Sequence, residues 1–130
     1  MTITYAGFAT TLAGLTVTGV STKLTEPPAI DTSGNYPMMF PRVPSVERAA
    51  VALNGSAGLK TVTCELVIVI ERDSLSTPYT KYAATVAMID ALDTALATEM
   101  VASNEIDGWT ITPEINEYGW TIIATVEGSG

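Results

Sequence analysis

Histidine is absent from this sequence, cysteine occurs once, and no lysine or arginine lies beyond residue 81. Each absence excludes something. Without histidine the commonest general base and metal ligand is missing. A lone Cys64 rules out an internal disulfide and fits a reducing compartment. No apolar run reaches the ~18 residues of a membrane span, so no membrane partner is expected. The N-terminus lacks a basic region followed by a long apolar run, so no signal peptide is expected. No phosphate-binding loop is present either: "NGSAG" is not followed by Gly-Lys-Ser/Thr.

What is present argues for one folded domain. Hydrophobic residues make up 47% of the 130-residue chain and charged residues 15%, which is outside the range of disordered chains. A domain of this length has a radius of gyration of about 14 Å and room for one core. The net charge of −8 is unevenly placed. Residues 1–81 hold six acids and six bases, whereas residues 82–130 hold eight acids and no base. Such a surface is soluble and repels polyanions. Direct nucleic-acid binding would need a basic patch instead.

Periodicity places the elements. Tyr5, Phe8, Leu12 and Leu15 fall on one face of a short helix, which Thr4 could cap. Val20, Thr22 and Leu24 alternate as a strand that Pro27 and Pro28 end. "VERAAVALNGSAGLKTVTCELVIVIERD" reads as two strands around a hairpin turn. In the second strand Val62, Cys64, Leu66, Ile68 and Ile70 form a core face. The intervening Thr61, Thr63, Glu65, Val67, Val69 and Glu71 form a half-polar one. "STPYTKYAATVAMIDALDTALATEMVASN" reads as a helix of about 24 residues, with Thr77 as cap and Pro78 in its first position. Its apolar stripe is expected at Tyr82, Val86, Ile89, Leu96 and Met100, with Leu92 on one flank. "DGWTITPEINEYGWTIIATVEG" reads as a closing hairpin, and Pro113 argues that its first strand is an edge or bulged. The expected fold is α+β: a mainly antiparallel sheet packed by one short N-terminal helix and one long helix, as a two-layer sandwich.

Candidate chemistry is sparse. Cys64 sits on a core face, where a buried inert thiol is expected. "SNEIDG" lacks the alternating oxygen ligands of a calcium loop, so no metal is expected. Glu114 and Glu117 flank a turn with nothing beside them to suggest a substrate pocket. No cofactor is expected, and the chain does not read as an enzyme. Asp93 falls inside the expected helix stripe and needs a partner there. Either the helix rotates it to the rim, or an arginine of the same chain meets it, or a neighbouring subunit pairs with it.

The segment "KLTEPPAIDTSGNYPMMFPRVP" (Lys23 to Pro44) carries five of the seven prolines, yet includes Met38, Met39 and Phe40. It is apolar enough to want burial and poorly suited to helix or sheet. An extended loop over about 25–44 is expected.

This order of elements resembles the tail terminator (tail completion) proteins of long-tailed bacteriophages. The resemblance rests on the segments quoted above, around the landmark "TEPPAIDTSGNYPMMFP", and covers nearly the whole chain as one domain, 1–130. It implies a structural virion protein at the tail–neck junction, made in the host bacterial cytoplasm. Six subunits usually form a ring that caps the finished tail tube, receives the head connector and leaves a passage for DNA. In that setting Met38, Met39, Phe40, Pro41, Arg42 and Asp93 are expected at the subunit interface. The loop prolines would limit its freedom before docking. Glu105, Asp107, Glu114, Glu117 and Glu127 are expected to line the DNA passage, repelling phosphate rather than binding it. A tail tube or other neck protein is the nearest alternative. A small cytosolic ligand-binding or regulatory domain, with the apolar loop as a lid, is an alternative of a different class.

Overall fold

A computed structural model of the chain describes residues 5–28, 36–49, 59–71, 78–103, 105–116 and 119–129. Its elements run α1 (Tyr5–Ala13), β1 (Thr22–Lys23), β2 (Met38–Pro41), β3 (Ser45–Ala49), β4 (Leu59–Glu71), α2 (Pro78–Ser103), β5 (Ile106–Asn116) and β6 (Gly119–Ser129). They build an α+β fold with an open, mostly antiparallel sheet. Strand order is β1-β2-β4-β6-β5, with β3 pairing β4 beside that path. Among the described residues only the short β1–β2 contact is parallel.

Strand β4 organises the sheet because it is apolar on both faces over Leu66 to Ile70. One face carries Val62, Cys64, Leu66, Ile68 and Ile70, as their alternation predicts. These pack with Phe8 and Leu12 of α1, Met88, Leu92 and Leu96 of α2, and Ile122, Ala124 and Val126 of β6. Both helices therefore cover one side of the sheet. On the other side Val67 and Val69 pack with Met38, Phe40 and Ile123, and Leu24 and Tyr36 lie against them.

The Pro-rich segment departs from the expected extended loop. Met38–Pro41 is a strand, antiparallel to β4 in the register Met39↔Ile68 and Phe40↔Val67. Its prolines fall where a strand tolerates them. Pro37 precedes the strand and Pro41 closes it, so Met38, Met39 and Phe40 keep their N–H donors. All three side chains are at most 2% exposed. They fill this chain's own core, so the expectation that they seat in a neighbouring subunit is corrected. Residues 29–35 of the segment lie outside the described residues, as does the turn between β3 and β4.

The long helix forms as expected but is rotated by about one residue, or roughly 100°. Its buried side is Thr85, Met88, Leu92, Ala95 and Leu96, while Tyr82 and Val86 are exposed. The sequence gives little reason for one face over another, because apolar residues occur nearly all round this helix. The closing hairpin selects the face. Trp109 Nε1 donates to Asp93 Oδ1 at 2.9 Å. Trp120 Nε1 donates to Thr85 Oγ1 at 2.6 Å. Two indoles on β5 and β6 thus hold α2 at fixed points. Pro113 lies on β5, which ends the sheet, as an edge strand allows. Gly119 opens β6 with φ of 112°, a conformation that L side chains rarely adopt.

Two substitutions test this packing. Phe40→Ala removes a fully buried ring and should cost about 3–5 kcal/mol of stability, read as a lower urea midpoint of the isolated protein. A midpoint unchanged from wild type would mean that Phe40 faces solvent or a partner. Gly128→Ala should also destabilise, because the added Cβ would come within 2.6 Å of the Glu105 carbonyl oxygen and 2.7 Å of Phe8. Forcing that contact costs on the order of 1–3 kcal/mol.

Candidate functional site

Among the described residues, no helix side chain packs on the opposite sheet face. Its composition follows from the ladder register. On β4 and β6 the pairs Thr63↔Glu127, Glu65↔Thr125 and Val69↔Thr121 point away from the helices. On β5 and β6 the pairs Thr110↔Thr125, Thr112↔Ile123 and Glu114↔Thr121 continue that face. Strand β3 adds Ser45 and Glu47 beside Thr63 and Thr61. The apolar patch of Met38, Phe40, Val67, Val69 and Ile123 occupies one part of this face. Around it Ser45, Glu47, Thr110, Thr112, Glu114 and Glu127 are exposed and Thr63, Glu65 and Thr125 half-buried, whereas Thr121 is fully buried.

Its electrostatics are nearly one-signed. Glu47, Glu114 and Glu127 are exposed and Glu65 is half-exposed. Arg42 crosses from the β2 end, and its Nη1 lies 3.5 Å from Glu65 Oε2. Both groups are partly exposed, so the pair contributes at most about 1 kcal/mol. Its main effect is to cancel the arginine's charge on this face. A phosphate approaching here meets carboxylates and hydroxyls.

The acids named from the sequence separate into groups. Glu114 and Glu127 share the bare face but lie toward opposite ends of the final hairpin. Glu105, half-buried, and Asp107, exposed, sit at the α2–β5 junction near Glu127, where the ladder is irregular between Ile106 and Gly108. Glu117 lies outside the described residues. Glu47 and Glu65 were missed. They belong to the formally neutral part of the chain, and only strand register brings them beside Glu127 and Thr125.

The residues expected at a subunit interface also separate. Pro41 is buried with Met38, Met39 and Phe40, whereas Arg42 is half-exposed. Asp93 is exposed and accepts the Trp109 indole N–H. The rotation of α2 has carried it out of the apolar stripe, so its closest partner is a tryptophan of its own chain.

Between the helices runs an open groove of about 520 Å³, lined by Thr11, Thr18, Thr94, Thr98, Asp90 and Glu99 among others. It holds no nucleophile–base pair. Among the described residues no group of three or more His, Cys, Asp or Glu is placed to hold a metal ion. No helix among them is long and apolar enough to cross a membrane. The chain matches no known protein-family model, and no curated protein matches it significantly.

Cys64 is buried on the helix side of β4, and its thiol lies 3.5 Å from the Arg42 carbonyl oxygen. Burial, helped by the charge of Glu65, pushes its pKa up to about 11. A thiol reagent should therefore label the native protein far more slowly than the urea-unfolded chain at pH 8. Equal rates would mean that this register is wrong. The raised value favours the folded state below the ordinary thiol pKa of 9.0. That contribution is lost as pH rises from 9 toward about 11, so the urea midpoint should fall over that interval in wild type more than in Cys64→Ala.

Proposed function

We propose that this chain is a structural subunit of a long-tailed bacteriophage, a tail terminator that closes the finished tube as a ring. Its partners are further copies of itself, six to a ring as the family resemblance implies, together with the tube protein below and the head–tail connector above. DNA passes through without being bound, and the protein resides in the virion at the tail–neck junction. In this reading the helices form one layer and the sheet a second, and the bare sheet face lines the passage.

One observation carries the reading: a sheet face on which, among the described residues, no helix packs, whose margins are dressed with exposed threonine and glutamate and on which Arg42 is paired with Glu65. A globular enzyme or carrier gains little from such a face. A conduit for DNA gains a wall that phosphate does not stick to. Charge segregation acts in the same direction, since α2, β5 and β6 together carry acids and, beyond Lys81, no base. The groove between the helices favours a second reading, a small-ligand-binding domain. Its volume falls within the usual range for ligand sites, although its threonine-rich, open lining is poorer in apolar surface than most.

The wall is tested by Glu114→Lys with Glu127→Lys. Assembled rings of this variant should retain duplex DNA at low salt and release it as salt rises, with a log–log slope growing by about 0.9 for each phosphate contacted. Wild-type rings should retain none. Variant rings that retain no more DNA than wild type would overturn the assignment of this face to the passage.

A further inference from the structure

The groove between the helices has an apolar floor and a rim rich in hydrogen-bond acceptors. On its floor Leu15 and Ala95 are buried and Ala91 is half-buried. On its rim Thr16, Thr18, Thr94, Thr98 and Asp90 are exposed, and Glu99 is half-buried. Among the described residues no lysine or arginine lines it. Asp90 and Glu99 stand nine residues apart on α2, a rise of about 13 Å, with Ala91 and Ala95 between them. Among the described residues neither carboxylate is paired with a base.

Two further observations favour a ligand that donates hydrogen bonds and carries positive charge. Thr98 Oγ1 donates its proton to the Thr94 carbonyl oxygen at 2.9 Å, so toward the groove this hydroxyl can only accept. The C-terminal end of α1 meets the groove at Gly14 and Leu15, and the last carbonyl groups of a helix carry partial negative charge. The chain's own ammonium shows that attraction. Lys23 Nζ donates to the Gly14 and Leu15 carbonyl oxygens at 3.5 and 3.4 Å. Lys23 does not line the groove, and it leaves Asp90 and Glu99 unmatched.

We infer that this groove binds a linear aliphatic polyamine. Ammonium groups toward the two ends of the ligand meet Asp90 and Glu99 in charge-assisted hydrogen bonds. The methylene run between them lies along Leu15, Ala91 and Ala95, as the stems of long cationic side chains lie along apolar surface. An inner amine N–H donates to the threonine hydroxyls. A compact metal ion gains none of the apolar contact and cannot reach both carboxylates at once. The groove's volume of about 520 Å³ falls within the range of small-ligand sites. The inference concerns the single subunit and stands or falls independently of the ring reading.

Titration of the isolated protein with spermidine, followed by backbone amide NMR shifts at about 0.15 M salt, tests it. Residues 11–18 and 90–99 should shift together and saturate. Putrescine, which is shorter, should bind more weakly, and butylamine, with one charge, more weakly still, because each loses an anchored end. Asp90→Asn and Glu99→Gln should each weaken spermidine binding by up to about fivefold, the worth of one partly exposed ion pair, and together they should abolish saturation. Glu26→Gln removes the same charge outside the groove and should leave binding unchanged. All three side chains meet solvent at least in part, so each variant should keep the wild-type circular dichroism spectrum. Shifts that do not saturate, that magnesium ions reproduce at equal concentration, or that fall instead on the sheet face of Glu114 and Glu127 would overturn the inference. An equal loss of binding in Glu26→Gln would overturn it too. None of these outcomes bears on ring formation, which is tested separately on assembled rings.

Discussion

Strand β4 must be covered twice, and the rest of the structure depends on that constraint. From Leu66 to Ile70 both its faces are apolar. Each such side chain gains roughly 1.5–3 kcal/mol on full burial, so neither face can be left wet. The helices cover one face through Phe8, Leu12, Leu92 and Leu96. They cannot cover the other. There Val67 and Val69 are buried in one cluster with Met38 and Phe40 of the adjoining strand and Ile123, and Leu24 and Tyr36 pack against it. The Pro-rich segment is thus apolar because it completes this core, and its prolines mark where the covering strand begins and ends.

Much of this was legible in the sequence, for stated reasons. The two-residue alternation of Val62 to Ile70 located β4 and the inward direction of Cys64. Pro113 marked an edge strand because proline cannot donate to a ladder on both sides. The place of α2 after β4 and its start at Pro78 followed from its composition. What stayed hidden depended on tertiary partners. The rotation of α2 is set by two indole hydrogen bonds, from Trp109 and Trp120, that no helical periodicity encodes. Strand β2 was hidden by counting prolines rather than locating them, since three consecutive residues between Pro37 and Pro41 suffice for a short strand. The bare face was half legible. Glu114 and Glu127 were named from the run of acids, but Glu47 and Glu65 join them only through the pairing of β3, β4 and β6.

Two-sided covering of β4 also explains what is left over. The buried cluster occupies the middle of that face, and Thr110, Thr112, Glu114 and Glu127 at its margins stay exposed. Helix α2, pinned by the tryptophans, turns tyrosine, valine and alanine outward where a solitary domain would place charge. The exposed carboxylates at the margins of the sheet and the apolar outer side of α2 are what support the reading we propose, a subunit of a closed assembly around a polyanion.

Single-particle imaging of the protein bound to isolated tail tubes tests that claim most directly. The account predicts a closed ring at one tube end, with the sheet faces carrying Glu114 and Glu127 turned to the central passage. A ring with those sheet faces on its outer wall, or tubes that carry no added density at either end, would contradict it.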